Sequence, residues 1–201
     1  MRGLLLVISG PSGAGKGTIC RALRAKIPQI GYSISATTRP PRPGEEDGES
    51  YFFVDREKFL KMVKEGAFLE WAEVYGELYG TPRKPVEEAL ARGQDIILEI
   101  DTQGAAQVKR CYPEGVFIFV IPPSYAELER RIKGRGTESP AAISDRLAWV
   151  KKEMDQLDLY DYVVVNDRVE DAVAKIEAII IAEKCRTRRL KNTDWYELFW
   201  S

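Results

Sequence analysis

Nine consecutive residues, Gly10-Pro11-Ser12-Gly13-Ala14-Gly15-Lys16-Gly17-Thr18, hold four glycines and one cation. Glycines leave room for successive backbone N–H groups to wrap an anion. The run follows five apolar residues, Leu4 to Ile8, and leads into Ile19-Cys20-Arg21-Ala22-Leu23. Strand, glycine-rich turn and helix together are the setting of a phosphate-binding loop. The helix N-terminus adds unpaired N–H groups and the positive end of its dipole. Lys16 then serves as a point charge for the β and γ phosphates of a nucleoside triphosphate. A hydroxyl directly after the lysine ordinarily meets Mg²⁺. That place is Gly17 here, so Thr18, one residue on, is the nearest candidate for the metal.

A second group of reactive types runs from Tyr32 to Tyr51. Hydroxyls crowd the end of a strand, and Arg39 and Arg42 sit three apart in a proline-stiffened turn. Proline lowers the entropy lost when the arginines are held, and guanidinium forks match phosphate oxygens. Read alone, the prolines also fit a linker or a polyproline ligand. Farther on, Asp101 ends an apolar strand, where packing explains a carboxylate poorly, and Glu99 shares its strand face. Glu70 stands among large apolar groups in Phe68-Leu69-Glu70-Trp71, read as an alternating strand. Arg135 lies between two glycines in the charged loop Lys133 to Glu138, which reads as a connector or a moving lid. Arg131 and Arg146 are on helices, where solvated surface is the plain alternative. Tyr51 and Tyr79 fit ordinary strand positions, and Asn166-Asp167 fits a helix cap. There is no histidine, so the chemistry proceeds without imidazole.

Four apolar runs position these groups as buried parallel strands: Leu4–Ile8, Ile96–Ile100, Val116–Ile121 and Tyr162–Val165. Helices are expected over Lys16–Ala25 and Gln103–Arg110. Another opens at the capping box Ser124-x-x-Glu127 and runs to Lys133. Ser139-Pro140 starts one whose Ile143, Leu147, Val150 and Met154 share a face, and a last one carries Val169, Val173, Ile176 and Ile180. Alternation of strands and helices predicts an α/β doubly wound sheet. Residues 33–93 break the rhythm with short strands at Tyr51–Val54, Phe68–Val74 and Glu77–Tyr79. A helix from Asp55 to Glu65 lies between them, and a turn at Tyr75-Gly76-Glu77 closes a hairpin. This predicts a small mixed lobe inserted into the sheet protein.

A chain of 201 residues can bury a core without staples. Its net charge of −1 exerts no general pull on nucleic acid or membrane. Cys20, Cys111 and Cys185 are scattered and odd in number, against a disulfide frame or zinc site. No stretch reads as a membrane span or signal peptide, so a cytoplasmic protein is expected. The arginines Arg186, Arg188 and Arg189 with Lys191 read as helix-end cations, and the apolar tail Trp195 to Trp200 as a packing segment.

Taken together, Ser35-x-x-x-Arg39-x-x-Arg42-x-Gly44-Glu45, Gly48-x-x-Tyr51-x-Phe53-Val54, Phe68-x-Glu70-Trp71, Tyr79-Gly80-Thr81, Glu99-Ile100-Asp101-x-Gln103-Gly104 and Arg135-Gly136-Thr137-Glu138 resemble the guanylate kinase family. The likeness covers about residues 4 to 185. It implies a P-loop NTPase parallel sheet core flanked by helices (1–32, 94–123 and 141–201), a mixed α/β GMP-binding lobe (33–93) and a mobile lid (124–140). It implies transfer of the γ-phosphoryl of ATP to GMP, and to dGMP, with Mg²⁺. Arg39, Arg42, Tyr51 and Tyr79 would hold the GMP phosphate; Ser35, Glu70, Thr81 and Asp101 would read or orient guanine. Gly10 through Thr18 would hold ATP, with Asn166 and Asp167 near adenine. Arg131, Arg135 and Arg146, with Lys16 and Arg39, would act on the transferring group. A related P-loop kinase with another acceptor and a non-catalytic binding module are the competing readings. The partners expected are small molecules, with no nucleic acid or membrane, in a monomer or homodimer.

Overall fold

Strand β1 (Leu5–Ser9) is buried at every residue because both its faces are covered. Leu6 and Ile8 pack toward α1 (Lys16–Lys26) and α7 (Val169–Lys184), while Leu5 and Val7 pack toward α3 (Arg83–Ala91) and α4 (Thr102–Cys111). The remaining strands of this sheet are β2 (Gly31–Tyr32), β7 (Ile96–Glu99), β8 (Val116–Ile121) and β9 (Tyr162–Val165). All pair in parallel in the order β2-β7-β1-β8-β9, with Leu5 opposite Ile96 and Leu6 opposite Val116. Chain order therefore reverses on either side of β1, and the crevice at that reversal is where open α/β sheets bind ligands. The glycine-rich loop leaves the C-terminal end of β1 at this point. The structure is a computed structural model that describes residues 2–74, 76–134, 140–190 and 199–200, without the side chains of 140–146 and 190.

The inserted lobe is a second sheet, β4-β3-β6-β5, made of β3 (Ala36–Thr37), β4 (Phe52–Phe53), β5 (Phe68–Val74) and β6 (Glu77–Pro82). Its helix α2 (Arg56–Lys64) starts where the Asp55 carboxylate accepts the Lys58 N–H at 2.7 Å. Phe59 of α2 stacks on Phe68 at 4.6 Å, and with Ala36 and Leu78 they form a core of their own. Helix α3, not foreseen from the sequence, falls within the 33–93 range expected to be lobe but sends Val86, Ala89 and Leu90 into the core beneath the parallel sheet. The expected alternation of β5 also fails at one point. Phe68 pairs with Pro82 but Glu70 pairs with Thr81, so Leu69 is an extra residue in a bulge. Phe68 and Glu70 consequently face opposite sides of the lobe sheet.

Helix α5 (Tyr125–Lys133) begins at Ser124, whose hydroxyl accepts the Glu127 N–H at 3.1 Å, as the capping box predicts. Its Leu128 and Ile132 pack with Leu147, Val150 and Met154 of α6 (Pro140–Met154). The expected lid loop carrying Arg135, the Ser139 cap, Tyr75, Lys191 and most of the aromatic tail lie outside the described residues. A 3-10 turn, 157–159, precedes β9, and α8 (Thr187–Leu190) follows α7.

Candidate active site

A cavity of about 620 Å³ opens between the phosphate loop, the ends of β7 and β1, the lobe sheet and α6. At one end lies Lys16, donating from Nζ to the carbonyls of Gly10 at 2.5 Å and Pro11 at 3.1 Å. Burial lowers its pKa, against the opposing pull of Glu99, Glu153 and Asp101. A desolvated ammonium held on loop carbonyls is already aimed into the turn that would cradle phosphates. Gly15 closes that turn in the left-handed conformation (φ 89°) as the N-cap of α1. Gly10, Ser12, Gly13, Gly17 and Thr18 line the cavity beside it, with Pro11 and Ala14 buried behind.

From the lobe side the bulge in β5 delivers Glu70 to the same cavity, 5 % exposed, while Trp71 next to it is 38 % exposed. The Thr81 hydroxyl donates to Glu70 Oε1 at 2.6 Å. Burial pushes the carboxyl up to about 7, the Thr81 hydroxyl pulling the other way. On its far side Oε2 lies against Gly104, where a Cβ would collide with it. Asp101 caps α4 through a 2.7 Å bond from the Gly104 N–H and also lines the cavity. The carboxylate that packing explained poorly is thus explained in part by a helix start. Burial raises its pKa too.

The lobe contributes Ser35, Tyr51 and Tyr79 to the wall, the two rings edge to face at 6.1 Å. Arg39 lies over the Tyr51 ring at 5.5 Å, and its Nη2 donates to both oxygens of Glu45, at 2.8 and 2.9 Å. Glu45 also accepts the Arg42 N–H at 2.7 Å, so one carboxylate orders the whole turn; the Arg42 side chain is exposed. Arg131 is half-buried rather than free on the surface: Nε donates to Glu127 at 2.7 Å and Nη2 to the Asn166 carbonyl at 3.1 Å. Asn166 does not cap α7, whose N-cap is Arg168; its Nδ2 donates to the Ala14 carbonyl at 2.8 Å. Asp167 is exposed beside it. Arg146 lies on α6 with its side chain outside the description.

Sequence reasoning missed one wall. Trp149, Lys152 and Glu153 of α6, with Gln156 just beyond its end, line the cavity, and Arg21 of α1 joins them. Their spacing traces a helical stripe beside the apolar stripe 147, 150, 154, and a tryptophan within a polar stripe was the available signal. The metal-binding potential is spread out. Thr18, Glu99 and Asp101 all line the cavity, and Glu99 Oε1 lies 3.4 Å from where a Gly17 Cβ would stand. The Tyr32 hydroxyl donates to Glu99 Oε2 at 3.0 Å. Among the described residues no three carboxylate, cysteine or histidine groups converge on one point. An oxygen set of this kind fits a hydrated Mg²⁺ that keeps most of its waters.

A phosphate loop after the central strand of a parallel sheet, with a lobe set over it, defines the class of P-loop nucleotide-binding proteins. A model of the guanylate kinase family matches residues 2–183. A guanylate kinase of Caldanaerobacter subterraneus subsp. tengcongensis is 58 % identical over 95 % of this chain and 93 % of its own. One from Carboxydothermus hydrogenoformans is 55 % identical over 94 % and 93 %. The crystal structure of guanylate kinase from Anaplasma phagocytophilum superposes with a TM-score of 0.79 at 38 % identity, covering 94 % of this chain and 89 % of that one. The chain belongs to the guanylate kinase family.

Proposed function

We propose that this chain transfers the γ-phosphoryl of ATP to GMP, and to dGMP, yielding ADP and GDP. The observation that carries the reading is one cavity lined both by a buried lysine on a phosphate loop and by a buried carboxylate on the lobe. Guanine offers the N1–H and the N2 amino group on one edge, two donors for the two oxygens of Glu70. Adenine offers a bare acceptor there and leaves the carboxylate unpaired, a mismatch worth up to about 10⁴-fold in selection. Ser35, Thr81 and Asp101 support the same edge. Arg39, held ready by Glu45 and Tyr51, would grip the acceptor phosphate with Arg42, Tyr51 and Tyr79.

A phosphate oxygen of GMP is already an anion near neutral pH, so the acceptor needs no strong base, and the lack of histidine is no obstacle. What the chain supplies is position and compensating charge. Lys16 and the loop N–H groups would hold the donor phosphates; Arg131, with Arg135 and Arg146, would face the transferred group. Mg²⁺ would be held through water by Thr18, Glu99 and Asp101. When bound, it neutralises charge on the β and γ phosphates. The working division is the core of 1–32, 94–123 and 141–201 together with α3, the acceptor lobe made of the rest of 33–93, and the lid of 124–140, whose closure would exclude water. No helix among the described residues is long and apolar enough to cross a membrane. The setting proposed is cytoplasmic, as monomer or homodimer acting on small molecules alone.

The test is ADP release measured against a panel of nucleoside monophosphates, with Lys16→Met as control. GMP and dGMP should be used far faster than AMP, CMP or UMP, and Lys16→Met should lose at least about 10²-fold in turnover while staying folded. Equal use of another monophosphate would point to a different acceptor. Nucleotide binding without ADP release would point to a binding module.

A further inference from the structure

Asn166 follows the last residue of β9, 3 % exposed, with its side-chain Nδ2 and its backbone carbonyl committed while Oδ1 has no partner among the described residues. Its N–H donates to the Ile121 carbonyl at 2.7 Å, which joins it to the end of β8. Its Nδ2 donates to the Ala14 carbonyl, in the middle of the phosphate loop. Its own carbonyl receives Arg131 Nη2. The fit is close: a Cβ on Gly15 would collide with Asn166 Nδ2 and come within 3.9 Å of Arg131 Nη1. One turn away, a Cβ on Gly13 would stand 3.0 Å from Ile132 and 3.2 Å from Leu128, so α5 is seated directly on the loop. Two loop glycines thus face α5 and Asn166.

We propose that Asn166 is a positioning residue that ties the phosphate loop to Arg131. This rests on the reading of Arg131 as a cation facing the transferred phosphoryl. The loop that holds the donor and the side chain that meets its terminal phosphate then share one anchor. A displacement of the loop carries Arg131 with it, and the distance between Lys16 and Arg131 stays set. Asn166 does this through its amide donor, not by reading a base. Removing Nδ2 leaves the Ala14 carbonyl without its partner and frees the loop from β9.

The experiment compares Asn166→Ala, Asn166→Asp, Arg131→Met and the double variant Asn166→Ala/Arg131→Met with wild type. It measures kcat, both KM values, the ATP-to-GTP donor preference and amide hydrogen exchange of the peptide spanning residues 10–17. Asn166→Ala and Asn166→Asp should each lose about tenfold in kcat, the aspartate placing an acceptor against an acceptor, with KM for ATP within about twofold. The kcat loss should be largely absent in the Arg131→Met background, since the tie then has nothing to hold. Loop exchange should quicken in both Asn166 variants. Losses that multiply in the double variant would overturn the proposal. So would a rise confined to the KM for ATP with relaxed donor preference, which is the mark of a base reader. Loop exchange is read without substrate, so unchanged protection in Asn166→Ala overturns the tie even if the wild type proves inactive on GMP. That inactivity would instead count against the proposed reaction.

Discussion

In the proposed reaction, Glu70 joins specificity to pH. Its carboxyl is held at about 7 by burial, above the ordinary value of 4.5. A group raised in the folded state favours folding fully below its unfolded value, and that contribution is lost as pH climbs through the folded one. Between about pH 4.5 and 7 the wild type therefore loses stability that Glu70→Gln keeps. The melting-temperature advantage of the variant should grow across that window and level off above it. In the proposed reading guanine needs the ionised form, so GMP binding would expel a proton below pH 7. Calorimetric affinity for GMP should rise by up to about tenfold per pH unit below 7 and flatten above, on top of any titration of the GMP phosphate. Glu70→Gln should keep only the phosphate part, and its GMP-to-AMP ratio in kcat/KM should collapse. Identical pH slopes in the two proteins would remove Glu70 from base recognition.

At the scale of elements, α4 meets β5 where Gly104 makes room for Glu70. Gly to Ala within a helix ordinarily gains about 1 kcal/mol. Gly104→Ala should do the opposite, since its methyl would displace a carboxylate. We expect KM for GMP to rise about tenfold or more and KM for ATP to stay unchanged in steady-state kinetics. An unaltered KM for GMP would show that Glu70 tolerates the shift. Elements with strong local rules were legible in the sequence: the apolar runs of β8 and β9 match residue for residue, as does α5 behind its Ser124 cap. β2 and β3 were not legible, because two residues carry no periodicity. α3 starts at Pro82 without a side-chain cap and so leaves no entry signal. The cavity wall of α6 was hidden because its neighbouring apolar stripe explained the helix by itself. Asn166 read as an adenine neighbour or a cap, since its Ala14 partner is 152 residues away.

Among the described residues, the parallel sheet and the lobe pack separate cores of unequal size, with a small further cluster between α5 and α6. The parallel sheet is packed on both faces by large clusters, whereas the lobe relies on Ala36, Phe59, Phe68 and Leu78. The lobe should open first. Amides of β3 to β6 should exchange by a sub-global opening that leaves β1, β7 and β8 protected, and GMP should slow the lobe selectively. Phe59→Ala, at a fully buried ring, should cost about 3–5 kcal/mol, confined to the lobe, and split thermal unfolding into two steps. A single, uniformly lowered transition would mean the two cores are coupled more tightly than their packing suggests. The bulge at Leu69 also fixes which way Glu70 faces. A strand counts by twos, and Leu69 is the odd residue that breaks the count. It lets Phe68 fill the lobe while Glu70 looks into the cavity. Iron the bulge out with Leu69 kept, and parity returns: the carboxylate and the phenylalanine must share one side. In the proposed reading, the preference for guanine is stored not only in a glutamate but in the irregular pairing just before it.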